Sequence, residues 1–311
     1  MVFRRPAARA HPHVMEWIGP GLVEEFAAAG TDAYRIADGE GCRIERFGDG
    51  AIISHNTEEP PSGILEELAT WREKAGILIE RIYSRRLVIA PGADDVPRSL
   101  GRLPPQHTAV VHEEGLRYEI DFLAGYSCGL FLDQRANRRQ LRASKVANLL
   151  NTFAYTCSFS VAAAAGGART LSIDLSKAAL ERGRRNFALN ELSREGHRFV
   201  ADDAFDVLAR LARRGEKFDA IVLDPPTFSR GRNGRVFQAQ RDYGRLIELA
   251  VPCAAPGAVI LLSTNCSKLG ASELRALGSR HVPAPVTFFA PPPPPDIPAQ
   301  SGAATLWMRI K

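Results

Sequence analysis

A chain of 311 residues, 45% hydrophobic and 24% charged, has ordinary globular composition and enough apolar side chains for a sizeable core. Its formal charge of +5 permits an anionic partner without demanding one, so only local clustering of charge can speak for nucleic acid. Five cysteines (Cys42, Cys128, Cys157, Cys253, Cys266) are scattered, odd in number and without a CxxC pair, which argues against a disulfide framework or a metal site and for a reducing cytoplasm, while the longest small apolar run, 161–168, is too short to span a bilayer.

Residues 1–32 are rich in Ala, Arg, Pro and Gly and read as a loose arm with one short helix around 22–29. Short β-prone runs broken by glycine over 33–54 predict paired strands. A helix is expected next, started by Pro60, Pro61 and Ser62 and continued through ILEELATWREKAGILIERI, where Leu65, Leu68, Trp71, Ile77 and Ile82 recur at helical spacing. A proline-containing link near 91–105 leads to a hairpin turning at Glu113-Glu114-Gly115, completing a small α+β domain over 33–128, a candidate RNA-contacting part.

From residue 129 the pattern changes to alternating strands and helices. The strands VANLLNTF, TLSIDL, HRFVADD, FDAIVLD and GAVILLST are separated by helical segments near 159–166, 176–190, up to 213, and beyond 235. Five such repeats predict an α/β domain over 129–311, with a doubly wound, mostly parallel, Rossmann-like sheet. A proline run at 291–295 precedes the alternating final strand ATLWMRIK and reads as a rigid loop.

Ligands of open α/β sheets bind at the carboxyl ends of the strands. There FDAIVLDPPTF (218–228) is the most informative segment: an unbroken apolar strand stops at Asp224, and Pro225 and Pro226 fix the turn that presents Phe228. Asp174 ends the second strand, 23 positions beyond Asn151, near the roughly 20-residue spacing at which an acid meets ribose hydroxyls. The third strand ends at Asp202 and Asp203; Asp203 is the candidate for an adenine amino group and Asp202 for a helix cap, and each acid alone is equally well explained by capping. The first loop, FAYTCSFSV, lacks the glycines of a pyrophosphate-binding turn, which disfavours NAD or FAD and suits S-adenosylmethionine, a nucleoside without phosphate.

GLFLDQRANR (129–138), LLNTFAYTCSFSVAAAAGGA (149–168), SIDLSKAALERGRRNFALNEL (172–192), FVADDAF (199–205), FDAIVLDPPTFS (218–229) and LLSTNCSKL (261–269) stand in the order and spacing of one family. On these motifs the chain resembles the S-adenosylmethionine-dependent methyltransferases of large-subunit ribosomal RNA, and YRIADGEGCRIERFGD (34–49) is similar to the segment preceding the catalytic domain in one branch. The resemblance implies S-adenosyl-L-methionine as cofactor, held by Asn151, Phe153, Tyr155, Thr156, Asp174, Ser176, Asp202, Asp203 and Asp224, with Gln134 or Arg135 meeting the cofactor's carboxylate. It implies ribosomal RNA as substrate. The 5-methylcytosine branch usually carries an N-terminal PUA module, which this chain is expected to lack, and Cys157 and Ser158 stand where relatives usually carry glycine.

Two branches imply different target atoms. DPPTFS followed by Phe237 and Gln240-Arg241-Asp242 is closest to the 7-methylguanine branch, in which the ring nitrogen brings its own lone pair. Ser263-Thr264-Asn265-Cys266-Ser267 resembles the segment supplying a nucleophilic cysteine to the 5-methylcytosine branch, where thiolate addition at C6 activates C5 and Asp224 supports the ring. Cys266 is equally well explained as a buried hydrophobe. A D-P-P-x-F turn also suits an exocyclic amine, with Phe228 stacking on a flipped base. Arg230, Arg232, Arg235 and Arg241 follow Phe228 with no acid between them and are candidates for RNA phosphates. Competing readings are a methyltransferase of a non-RNA substrate and an RNA-binding protein weakened in catalysis by its altered loop.

Overall fold

The computed structural model describes residues 14–87, 96–101, 106–125, 127–231, 234 and 236–311. The chain divides into two units: one runs to Gly115 and includes Ile120–Cys128, and the other comprises Leu116–Glu119 and Gly129–Lys311.

In the first unit, strands Ala33–Gly39, Cys42–Phe47 and Gly50–His55 pair antiparallel, and a helix, Ile64–Ala75, crosses over to Arg81–Arg86, parallel to Gly50–His55. The helix expected through residue 82 stops at Gly76, whose left-handed backbone (φ 64°) lets it close the last turn onto Arg72 and Glu73. Ile82 therefore belongs to a strand. The arm expected over 1–32 is built into this unit from Met15 onward: Glu16–Trp17 adds an edge strand, and the helix Pro20–Ala28 buries Val23 and Phe26 against Tyr34, Ile36, Leu68 and Trp71. Those apolar side chains had too little periodicity to be read as a docking face.

In the second unit we label helices α1 Arg135–Ala143, α2 Ser158–Ala165, α3 Lys177–Leu189, α4 Ala204–Arg213, α5 Ala239–Ala250 and α6 Ala271–His281. The strands are β1 Asn148–Thr152, β2 Arg169–Asp174, β3 His197–Ala201, β4 Phe218–Leu223, β5 Ala254–Thr264, β6 Val286–Phe289 and β7 Ala304–Ile310. They form one sheet in the order β3-β2-β1-β4-β5-β7-β6, parallel from β3 to β5, with β7 antiparallel to both its neighbours. Leu150, Ile221, Val222, Leu223, Ile260, Leu261 and Leu262 are fully buried, as apolar strands covered on both faces must be. The order reverses between β1 and β4, so the crevice of such a sheet opens beside the ends of those strands.

Two features went unread in the sequence. Val286–Phe289 forms the edge strand β6, and Phe228–Arg230 pairs with Val236–Gln238 in a short hairpin beyond the DPP turn. The proline-rich segment is tied down: Asp296 is buried against Arg135, and the Ala303 N–H donates to Asp133 at 2.8 Å.

Candidate active site

The loop after β1 carries three non-glycine residues in the left-handed region, Phe153 (φ 53°), Tyr155 (φ 48°) and Cys157 (φ 62°). Each such residue costs about 1 kcal/mol, so the loop must be held from outside. The Ala154 N–H donates to Ile173 O (2.8 Å), the Tyr155 N–H to Asp174 Oδ2 (2.8 Å), Thr156 Oγ1 to Gly129 O (2.6 Å), and Asn186 Nδ2 to Thr156 O (3.0 Å). A left-handed backbone, which glycine adopts most readily, is thus imposed here on Cys157.

The Cys157 side chain is fully buried and packs on Gly183 of α3, where an added Cβ would stand 2.5 Å from its sulfur. Burial pushes the thiol up to about 12, so it is an inert space-filler. Gly183→Ala is therefore expected to destabilise the protein by about 1–3 kcal/mol despite alanine's better helix propensity. Adding Cys157→Gly should reverse the loss. Thermal melts of the two single variants and the double variant measure this coupling, and additive effects would refute it.

Asp174 accepts from Tyr155 N–H through one oxygen and from Ser176 N–H through the other, both at 2.8 Å. Burial raises its pKa and these two donors oppose that rise. Ser176, expected at the cofactor, is the N-cap of α3, its Oγ accepting from Ala179 N–H at 3.1 Å. Of the next two acids, Asp203, the adenine candidate, caps α4 through Phe205 N–H (2.9 Å), and Asp202, the candidate cap, pairs with Arg210 at 2.6 Å.

These acids rim a cleft, open to solvent, whose walls include Phe153, Leu175, Phe205 and Phe237. Ser229 and Gly231 of the hairpin close it on one side. Among the described lining residues there are three carboxylates and no lysine or arginine. An apolar slot with an acidic rim fits a flat heterocycle, a ribose diol and a cationic sulfur, and would repel phosphate.

Asp224 leaves the end of β4 half-buried, and its Oδ1 accepts from Ser263 Oγ at 2.6 Å. Burial pushes its pKa up to about 6; Ser263 lowers it, Asp133 raises it and Arg138 lowers it. The parallel register pairs Leu223 with Leu262, so Asp224 and Ser263 are the next residues on adjoining strands. The buried Tyr243 hydroxyl accepts from Ser263 N–H (2.8 Å) and lies within 3.0 Å of the carbonyls of Leu223 and Ser263, pinning the two strand ends together. Pro225, Pro226 and the hairpin then present Phe228, half-exposed at 50%, with the Arg230 guanidinium 6.0 Å from its ring centroid.

Several expected site residues are placed elsewhere. Arg135 forms a buried ion pair with Asp296 (2.7 Å), so its fork is occupied by the chain's own carboxylate. Gln134 is buried between Ser263 and Asn137. Thr156 spends its hydroxyl on Gly129, and Asn151 is buried against Ser160. Arg241 pairs with Asp242 and the Val236 carbonyl, buttressing the hairpin. Arg232 and Arg235 lie outside the described residues. Cys266, 8% exposed, belongs to the apolar cluster that includes Phe237, Leu262 and Leu269. Leu175, Phe205, Ser263, Tyr243 and Asp296 had no assigned role; strand alignment alone would have brought Ser263 beside Asp224.

The sequence profile of a family described as S-adenosylmethionine-dependent methyltransferase matches residues 95–309. The chain belongs to that family. This methyltransferase is 31% identical over 262 residues to the putative ribosomal RNA large subunit methyltransferase YwbD of Bacillus subtilis strain 168, covering 80% of this chain and 65% of that protein. It is 33% identical over 264 residues to ribosomal RNA large subunit methyltransferase I of Salmonella arizonae, covering 79% and 62%. It thus spans just under two-thirds of these relatives' lengths. Among solved structures it is similar to SMU.776, a putative methyltransferase complexed with SAH, with a TM-score of 0.79 and 26% identity over 93% of this chain and 78% of that one. The cofactor of the methyltransferase is S-adenosylmethionine. No helix among the described residues is long and apolar enough to cross a membrane.

Proposed function

We propose that this methyltransferase modifies a base of large-subunit ribosomal RNA in the cytoplasm, at a ring atom that brings its own lone pair, guanine N7, rather than at cytosine C5. The names of the relatives support the RNA class, and the half-exposed Phe228 beside Asp224 and Arg230 suits a base taken out of its stack. The choice of atom rests on one observation: the Cys266 thiol is packed in the apolar cluster, 8% exposed, as a hydrophobe rather than as a nucleophile facing the cleft.

The cofactor supplies an electrophilic methyl group on a positive sulfur. Asp174 would take the ribose hydroxyls on its remaining lone pairs, and Phe153, Leu175, Phe205 and Phe237 would supply the apolar walls for the adenine and exclude water. Phe228 stacks on the guanine. The Asp224 carboxylate, ionised above about pH 6, offsets the positive charge that grows on the ring as N7 forms its new bond.

A second reading, cytosine C5, is favoured by the position of Cys266 three residues beyond Ser263, at the carboxyl edge of β5. Transfer of labelled methyl to deproteinised large-subunit RNA, followed by nucleoside mass spectrometry, separates the two. We expect 7-methylguanosine, and Cys266→Ala working within about threefold of the parent rate, since it removes only about 1 kcal/mol of packing. A 5-methylcytosine product that disappears in Cys266→Ala would establish the covalent route instead.

A further inference from the structure

Behind Asp224 runs an unbroken line of buried side-chain hydrogen bonds that methyl transfer as described above does not use. Trp307 Nε1 of β7 donates to Asn137 Oδ1 (2.9 Å), Asn137 Nδ2 to Gln134 Oε1 (2.9 Å), Gln134 Nε2 to Ser263 Oγ (3.0 Å), and Ser263 Oγ to Asp224 Oδ1 (2.6 Å). Trp307, Asn137, Gln134 and Ser263 are each at most 3% exposed.

The chemistry of the first member decides the direction of the rest. An indole N–H can only donate, so Asn137 must present its oxygen to Trp307 and its amide N–H₂ to Gln134. Gln134 must then turn its oxygen to Asn137 and its N–H₂ to Ser263. The Ser263 hydroxyl, already accepting, has its single hydrogen left for Asp224, and the short 2.6 Å separation suits a hydroxyl donating to a carboxylate. Were any amide reversed, two donors or two acceptors would face each other in the core, costing about 1–3 kcal/mol.

We propose that Gln134, Asn137 and Trp307 are positioning residues: the Trp307 indole sets a one-way hydrogen-bond relay that locks the Ser263 hydroxyl as a donor and thereby holds Asp224 as an oriented, ionised acceptor. This rests on Asp224 serving the reaction but not on the identity of the RNA, and it is read without substrate. The other groups bearing on Asp224 are Asp133 of the turn before α1, Arg138 of α1 and Tyr243 of α5, and none of them belongs to the relay.

The test is the pH titration of the Asp224 carboxyl carbon by NMR in the full chain, with the signal assigned by its loss in Asp224→Asn. A hydrogen bond to the ionised form lowers a carboxyl pKa, so losing it raises the midpoint. Ser263→Ala is expected to raise the midpoint by about one unit, and Trp307→Phe and Gln134→Met, which keep apolar bulk, by about half a unit each. Phe289→Leu removes packing from the same Trp307 ring, stacked 5.9 Å away, and should lower the melting temperature without moving the midpoint. If Trp307→Phe and Gln134→Met leave the midpoint where Phe289→Leu leaves it, the relay is only structural packing and the proposal falls. Should Trp307→Phe not fold, Gln134→Met alone decides. RNA methylation assays succeed or fail independently of this titration, so failure of the ribosomal RNA reading remains distinguishable.

Discussion

Asp224→Asn is expected to reduce methyl transfer by about 10²–10³-fold while making the protein more stable at pH 8. The asparagine oxygen can still accept from Ser263, so the strand ends and the hydrogen-bonded line behind them stay in place. What disappears is the negative charge that the proposed reaction would use. The stability effect has the opposite sign for the same reason. Burial raises this carboxyl from 3.8 to about 6, so the folded protein binds a proton more tightly than the unfolded chain does. Stability contributed by this group is full below about pH 4, falls as the pH rises through about 6, and stays low above it. Removing the charge should recover on the order of 2 kcal/mol at pH 8, after allowing for partial exposure, and nothing at pH 4. Thermal melts at the two pH values should differ by a few degrees in their response to the substitution. The parent's rate should also fall below about pH 6 as Asp224 is protonated; a rate that is flat from pH 5 to 7, or an active asparagine variant, would remove Asp224 from the reaction.

Asp174→Ala is expected to weaken binding of S-adenosylhomocysteine by about 100-fold or more in calorimetry, corresponding to about 3 kcal/mol. Part of this is the lost contact to the ribose. The rest comes from the loop, because each oxygen of Asp174 holds a backbone N–H, one from Tyr155 in its strained left-handed conformation and one from Ser176 at the start of α3. Leaving both donors unsatisfied costs about 1–3 kcal/mol each and lets the Phe153–Cys157 strain relax into a shape that no longer forms the cleft wall. Asp174→Asn, although isosteric, should rescue little: its oxygen serves one N–H while its amide group turns a donor toward the other. Affinity within threefold of the parent in either variant would mean that the cofactor does not depend on this acid.

The five strand–helix repeats, the carboxylates at three strand ends and the DPPTF turn were legible because each is local. An apolar run without alternation can be buried only between layers, and prolines after an acid end a strand wherever they occur. Roles were harder to read than positions. Asp203 rather than Asp202 caps α4, and Arg210, eight residues and about two helical turns beyond Asp202, reaches Asp202, a pairing that sequence spacing did not reveal. Arg135 was expected at the cofactor and is instead matched by Asp296, 161 residues later. The space that the Cys157 side chain needs is left by Gly183 on α3, a fit visible only where two elements meet.

By itself, then, the sequence determined the layered α/β architecture, the edge of the sheet that carries the site, and a nucleoside cofactor without phosphate. All of these follow from periodicity, from strand-terminating residues and from the absence of a glycine turn. Only the tertiary structure decided which polar groups were already spent on the protein itself. A buried donor or acceptor must find a partner, and the nearest one is commonly far away in the chain, as Arg135 with Asp296 and Trp307 with Asn137 show.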